Sequence, residues 1–528
     1  MDRTKLRDLL NPSPCEESVA RCMDGTRVNI LKQVHDWVAD DEAPNILWLK
    51  GSPGAGKSAI ATSVVASLGQ RRGPSFFFKR DRDDLNNPRH LWPTIAYDLA
   101  LAHRAFRQRI TGTMNTRGLE PGRISVEDQF KYLIEESAAA CIKGPSPVVV
   151  LDGLDECRSD GDLSVHWKSL LGTIKKWSSV SKDFKLVVTS RDQHDIGEVL
   201  TGISRIVILA TGNDISSETT GDVHRYVEQR LSSIRGCFGT SLPLEWPGNH
   251  KINELVTGAQ GLFIWAKIAL DCLEDDPETL DDILGGYLDY AGNPLDKLYE
   301  KLLERSFPNH EEKALFAFKM VAGVIVLAKT PLLISDIDHF LTGDLQPSTI
   351  RSVIRKLKAI ISGSTSVPLR VCHQSLPDFL LDPKRSGNFA IDKTATVARM
   401  AIACLKQMNH EKEGLKFNIL GLETSYRLNS DIQELEKLIT TRVPSYLLYS
   451  CHFWMDHLKH VSDTSVKGNV LLDLRKFLHH NFLFWLEVRS LTGRVNDIPG
   501  IMRQGAKWIG VSVFQRPELG GYSLTMYL

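Results

Sequence analysis

The sequence predicts an α/β fold: a parallel sheet covered by helices, followed by mostly helical domains. Three observations predict it. Short, wholly apolar runs alternate with helical patterns between residues 46 and 210, and strands that read apolar throughout belong to a parallel sheet buried on both faces. A glycine-rich loop separates the first of those runs from the helix behind it. Beyond about residue 211 the strand signals fade and helical spacing takes over.

Taken in order, residues 1–45 are polar and mixed, with one helical face over Arg27 to Val38 formed by Val28, Leu31, Val34, Trp37 and Val38. Ile46 to Leu49 is the first strand, and Ala59 to Leu68 the helix after the glycine loop. Ser75 to Phe78 is the next strand, and His90 to Ile110 reads as one long helix. Val148 to Leu151, Lys185 to Val188 and Arg205 to Leu209 complete the strand set. Asp222 to Ile234 and Lys251 to Leu273 read as amphipathic helices, Pro368 to His373 as a strand, and residues 390–505 as helix. Breaks near 285–294 and 382–388 mark boundaries, and Gln515 to Leu528 has no period to assign.

A chain of 528 residues has room for about three domains. Its 42% apolar and 24% charged residues exclude wholesale disorder and a small disulfide scaffold. Lys+Arg and Asp+Glu both number 64, so no basic excess points to a general binder of nucleic acid or anionic membrane. None of the nine cysteines forms a C-x-x-C pair, which leaves neither a zinc site nor a redox dithiol. The N-terminus has no apolar signal region, and the longest apolar run, Met320 to Ala328, is far short of the roughly 20 residues a bilayer needs. That run reads as a buried helix, and the chain as soluble and cytoplasmic, with no transmembrane segment and no nucleic-acid partner.

Three clusters carry chemistry. Gly51-Ser52-Pro53-Gly54-Ala55-Gly56-Lys57-Ser58 matches G-x-x-x-x-G-K-[ST] in full, between an apolar strand and a helix. The glycines let the backbone curl so that its N–H groups cradle a phosphate, and the helix dipole favours the same anion. Lys57 can reach the outer phosphates, and the Ser58 hydroxyl is a ligand for Mg²⁺. Val148-Val149-Val150-Leu151-Asp152 is a buried strand ending in an acid, the Walker B pattern, with Asp152 placed to hold Mg²⁺ through water. Asp155 and Glu156 follow three and four residues on, and either can orient or deprotonate an attacking water. Thr189-Ser190-Arg191 ends another strand, where the Arg191 cation can sense a γ-phosphate.

In this order the strings GSPGAGKS, VVVLDGLDEC and VVTSR resemble the NACHT domain of STAND-class P-loop NTPases, most of all the fungal proteins that often carry WD40 repeats. Met23-Asp24-Gly25-Thr26-Arg27 resembles the segment before their P-loop, and Ser75 to Arg80 their second strand. Gly258 to Ala266 resembles a first-helical-domain motif, His373 to Leu380 a winged-helix end, and Tyr449 to Trp454 a later helical segment. The likeness spans roughly residues 20–490. It implies an N-terminal helical linker (1–45), a NACHT domain (46–210), a first helical domain (211–290), a winged-helix-like domain (291–385), and a second helical domain with a C-terminal tail (386–528).

The resemblance further implies a signalling switch in innate-type or nonself recognition. It binds ATP or ADP with Mg²⁺, is closed with ADP, opens and self-associates with ATP, and hydrolyses slowly. It gives the triphosphate to Gly51–Ser58, the Walker B role to Asp152, the hydrolytic role to Asp155 or Glu156, the sensor role to Arg191, and a contact with the β-phosphate of ADP to His373. Two departures stand out. Related domains set a proline against the adenine in a G-L-P-L string, whereas this chain has Gly261-Leu262-Phe263-Ile264, with Phe263 or Trp265 as the aromatic that can pack there. No WD-repeat pattern follows, so either this is a shortened form or sensing and output lie in partner proteins. A metabolic P-loop kinase with a helical substrate domain, and a nucleotide-binding scaffold without hydrolysis, are the alternatives. The segment Arg475 to Trp485 reads as a helix with a thick buried face, with a partner or membrane surface as the other reading.

Overall fold

A computed structural model describes residues 3–14, 19–141, 147–157, 163–243, 245–285, 292–308, 311–424, 426–461 and 464–510. The unassigned stretch from Gln515, and most of the boundary expected at 285–294, lie outside them. The chain forms two compact units, Met1–Lys301 and Leu302–Leu528.

In the first unit, helices α1 (Arg3–Leu10) and α2 (Val28–Ala39) precede strand β1 (Ile46–Gly51), helix α3 (Lys57–Ser67) and β2 (Arg72–Phe77). Helices α4 (Leu91–Ala102) and α5 (Arg104–Arg117) lead toward β3 (Val148–Asp152), followed by α6 (Leu163–Trp177), β4 (Leu186–Ser190) and β5 (Arg205–Leu209). Helices α7 (Ser217–Phe238), α8 (Asn249–Ala259) and α9 (Phe263–Asp275) lie beyond the sheet.

The five strands form one parallel sheet in the order β2-β3-β4-β1-β5. Because side chains alternate across a strand, each of β1 to β4 feeds two cores, whereas the edge strand β5 buries only Val207 and Leu209 and leaves Ile206 and Ile208 exposed. Ile46, Trp48, Phe76, Val149, Leu151, Leu186 and Val188 enter one core, with Leu6, Trp92 and Trp177. Leu47, Leu49, Phe77, Val148, Val150 and Val187 enter the other, with Trp37, Ile60 and Val64. The apolar runs of β1 to β4 therefore reflect a sheet covered on both sides, while the run of β5 is covered on one.

Two long helical readings are interrupted. His103 is extended, which divides His90–Ile110 so that Phe106 and Ile110 on α5 turn back into the core. Gln260 (φ 45°) and Gly261 (φ 81°) divide Lys251–Leu273 into α8 and α9. A Cβ on Gly261 would stand 2.9 Å from the Ile215 side chain, so the turn demands glycine for both its conformation and its space.

The second unit is mainly helical. Helix α10 (Glu312–Leu327) contains the apolar run, with Met320, Val321, Ala322 and Val324 buried. Helices α11 (Ile334–Phe340) and α12 (Pro347–Lys356) are followed by the antiparallel pair β6 (Ile361–Ser362) and β7 (Arg370–Val371). A bridge between Leu332 and Leu369 extends that pair. Beyond it, α13 (Lys393–Met408) packs on α14 (Ser445–Leu458), where Ser450 Oγ donates to Gln407 Oε1 at 2.6 Å. Helices α15 (Thr464–Lys476) and α16 (Phe482–Leu491) close the described part of the unit with a final helix, Ile498–Ile509. Among the described residues no helix is long and apolar enough to cross a membrane.

Candidate functional site

The glycine-rich loop runs from the end of β1 to the start of α3. Gly54 (φ 83°) and Gly56 (φ 93°) supply the left-handed backbone its curl requires. The loop's carbonyls are held by named donors. Lys57 Nζ donates to Gly51 O at 2.8 Å and Ser52 O at 3.0 Å, and Ala55 N–H donates to Ser52 O at 3.2 Å. Ile264 N–H, in the first turn of α9, donates to Gly54 O at 3.3 Å, and the Arg27 guanidinium donates to Ala55 O at 2.8 Å. The first N–H groups of α3 have no acceptor within their own helix, so the loop and helix end present donors to an anion.

Register brings the acids beside this loop. Leu151 on β3 pairs with Val188 on β4, so Asp152 comes level with Thr189. Thr189 Oγ1 donates to Asp152 Oδ1 at 2.6 Å and accepts from Gly153 N–H at 2.9 Å. Burial pushes the Asp152 pKa up, against hydrogen bonds from the Thr189 and Ser58 hydroxyls and the nearby Lys57 ammonium. Burial likewise pulls the Lys57 pKa down, against the attraction of Asp155 and Asp152. The Ser58 hydroxyl and the Asp152 carboxylate thus meet as a pair of hard oxygen donors, a set that fits Mg²⁺.

The two acids after Asp152 occupy different surroundings. Asp155 is buried and gives both oxygens to Arg191: Oδ1 accepts from its backbone N–H at 2.9 Å, and Oδ2 lies 3.0 Å from its Nε. Among the described residues Glu156 makes no such pair; its Oε2 accepts from Arg80 N–H at 3.3 Å. Burial, with repulsion from Asp155 and Asp152, raises the Glu156 pKa to about 7. A carboxyl poised near neutrality can take a proton from water at working pH.

The first unit therefore brings together Gly51–Ser58, Asp152, Asp155, Glu156 and Arg191. His373 belongs to the second unit, between β7 and the short helix Ser375–Leu380. Its Nδ1 accepts from Ser375 N–H at 3.1 Å and lies 2.7 Å from Ser375 Oγ, so the neutral ring carries its proton on Nε2.

Sequence reasoning missed two supporting residues. Thr189 lies within the string VVTSR, but only the strand register shows that its hydroxyl grips Asp152. Arg27 is 2% exposed and sits in the left-handed region (φ 57°). Besides reaching Ala55 O, it donates through its backbone N–H to Asp222 Oδ2 at 2.9 Å and through its guanidinium to Thr219 Oγ1 at 3.0 Å. That guanidinium lies 4.9 Å over the Phe263 ring, and Phe263 in turn flanks Gly56. Of the two aromatics expected near the base, only Phe263 reaches the loop. Trp265 is wholly buried against Gly258, because it falls on the core side of α9.

The family described as Nephrocystin 3, N-terminal, matches residues 25–191. Vegetative incompatibility protein HET-E-1 of Podospora anserina, a NACHT protein, is 24% identical over 93% of the chain. The chain spans only 37% of that relative's length. Among solved structures, a STAND protein with a tetratricopeptide repeat sensor from Pyrococcus horikoshii matches 95% of this chain and 70% of its own, at 13% identity and a TM-score of 0.39. A Walker-type ATPase of Pyrococcus abyssi matches 68% of this chain and 98% of its own, at 11% identity and a TM-score of 0.34. Taken with the loop, the acids and the sheet that holds them, the family match and the fungal relative make this chain similar to the NACHT-domain P-loop NTPases of the STAND class.

Proposed function

We propose that this chain is a nucleotide-operated signalling switch that binds ATP or ADP with Mg²⁺ and hydrolyses ATP slowly. The observation that carries the proposal is the convergence at the ends of β1, β3 and β4: a curled loop with its lysine, a hydroxyl and carboxylate in contact, and a glutamate with a pKa near 7. In this reading the loop and the start of α3 hold the phosphates, and Ser58 and Asp152 hold the metal. When bound, the metal neutralises charge on the phosphate oxygens.

Glu156 is the base that takes the proton of the attacking water. Asp155 is assigned a different part: it fixes Arg191 through two contacts, so the cation stands ready at the end of β4. A preformed clamp costs no reorganisation when charge develops. His373, with a donor at Nε2, is assigned to the ADP-bound closed form. Opening with ATP, self-association, and a role in innate-type or nonself recognition by way of effector or sensor proteins complete the proposal.

Calorimetric titration with Mg²⁺–ATP tests it. Lys57→Ala removes a charge-assisted contact worth roughly 1.5–3 kcal/mol, so affinity is expected to fall about ten- to hundredfold. Equal affinity in both proteins refutes the site. Rapid phosphate transfer to a small acceptor assigns a kinase instead, and tight binding without turnover assigns a scaffold.

A further inference from the structure

The Glu156 side chain lies over Gly153: a Cβ on that glycine would stand 3.7 Å from both its Cγ and its Cδ. From there Oε2 accepts from Arg80 N–H at 3.3 Å, in the turn that follows β2. The other oxygen, Oε1, accepts from nothing among the described residues. One oxygen is thus held, and the other is left to meet water.

The turn that holds it is closed by its own backbone. Lys79 N–H donates to Leu85 O at 3.3 Å, Arg82 N–H to Lys79 O at 3.1 Å, and Asn86 N–H to Arg82 O at 2.8 Å. Phe78 N–H donates to Asp152 O at 2.9 Å, which pins the start of the turn to the end of β3. Asn86 ends the short helix Asp83–Asn86 and is 2% exposed. Its Nδ2 donates to Arg80 O at 2.9 Å. A carbonyl only accepts, so the amide must turn its nitrogen to it. The Asn86 Oδ1 is buried with no partner among the described residues. Packing alone does not call for an amide here, because an apolar side chain would avoid that unmet acceptor. What the amide adds is the bond to Arg80. The Asn86 backbone reaches the residue after the glutamate as well: its O accepts from Cys157 Sγ at 3.3 Å.

We propose that Asn86 is a positioning residue for hydrolysis: by fixing the Arg80 peptide and Cys157, it sets where the Glu156 carboxyl stands relative to the attacking water. This rests on Glu156 being the base, as proposed above. The phosphate loop has other holds, from Lys57, Ile264 and Arg27, and the Asp152 carboxylate is held by Thr189. Loosening the turn therefore displaces the base and leaves the nucleotide's own contacts in place.

Single-turnover hydrolysis and Mg²⁺–ATP affinity, measured on the same full-chain variants, test the proposal. Asn86→Leu keeps the branched shape and removes both polar atoms, and Asn86→Ala removes them by truncation. Misplacing a reacting group by about 1 Å costs up to about 100-fold. Each variant is therefore expected to lose about 10- to 100-fold in single-turnover rate, with its affinity unchanged. A loss of folded protein would lower both readings together, whereas a misplaced base lowers the rate alone. In the Glu156→Gln background, Asn86→Leu is expected to slow turnover no further, because effects that pass through one group do not add. The proposal is overturned if both variants turn over at the wild-type rate or faster, or if affinity falls along with the rate in both. An equal further loss in the Glu156→Gln background also overturns it. The two readings fail separately. Normal turnover by Glu156→Gln removes the base and this proposal with it, whereas turnover lost in Glu156→Gln and kept in the Asn86 variants leaves the base and removes Asn86.

Discussion

Replacing Glu156 by glutamine is expected to stabilise the nucleotide-free protein at neutral pH while stopping its turnover. The carboxyl is half-buried beside Asp155 and Asp152, and its pKa rises from an ordinary 4.5 to about 7. A group whose folded pKa is raised contributes stability that is fully present below about pH 4.5 and is lost as pH rises through about 7. That interval corresponds to about 2–3 kcal/mol, allowing for some solvent at a half-buried side chain. Glutamine does not ionise, so it escapes the loss. The difference in unfolding free energy, variant minus wild type, should therefore climb by about 2–3 kcal/mol between pH 4 and pH 8, read from urea titrations. Any constant offset from the new amide leaves this slope untouched. Over the same range, single-turnover hydrolysis by wild type should rise with pH as the base ionises, and the variant should lose about 10²–10⁴-fold. A flat stability difference would show that Glu156 is an ordinary solvated acid. A variant that still turns over would move the base to another residue.

Thr189→Val keeps the shape but orphans Gly153 N–H and strips a donor from Asp152, so a loss of about 2–4 kcal/mol in urea titration is expected. Thr189→Ser, which retains the hydroxyl, should recover most of it. Arg27→Gln removes a buried cation that bonds the glycine loop and α7, with an expected cost of about 2–4 kcal/mol; an unchanged urea midpoint would contradict the buried arrangement. His373→Leu deletes a donor worth roughly 1.5–3 kcal/mol to a charged phosphate, so ADP should weaken about ten- to hundredfold relative to ATP and self-association should rise. Light scattering after size exclusion, in ADP and in a non-hydrolysable ATP analogue, reads the mass; identical masses for both proteins in both nucleotides make His373 structural.

What could be read beforehand follows from what lies close along the chain. The glycine loop, the apolar strand ending at Asp152 and the strand ending at Arg191 are local strings, and local strings carry local geometry. The order of the strands is not local. That β4 lies between β1 and β3 decides that Thr189 meets Asp152 and that Arg191 meets Asp155, and no periodicity encodes it. Arg27 is the extreme case: its backbone bond to Asp222 spans 195 residues, and its left-handed backbone is not a conformation that arginine suggests. The break at Gln260–Gly261 is hidden in the sequence for a different reason. Apolar spacing continues across it, and only the close approach of Ile215 makes the glycine a turn.

That break explains how a chain without the proline of related domains still brings α9 to the glycine loop. Ending α8 at Ala259 and restarting at Phe263 points the new helix's first turn at the loop. A proline at 263 would offer its ring to a ligand; Phe263 instead offers a flat face to the Arg27 guanidinium and an edge to Gly56. The next residue supplies a bond, Ile264 N–H to Gly54 O. The loop is thus gripped from one side by α9, from another by Arg27, and from within by Lys57. A phosphate that draws Lys57 away from Gly51 O and Ser52 O removes the internal grip and leaves the outer two to hold the curl. Any shift of the loop must then pass to Arg27 and α9, and through Arg27 to Thr219 and Asp222 on α7. In the proposed switch the helices after the sheet need no contact with the nucleotide to respond to it, because they hold the loop assigned to the phosphates.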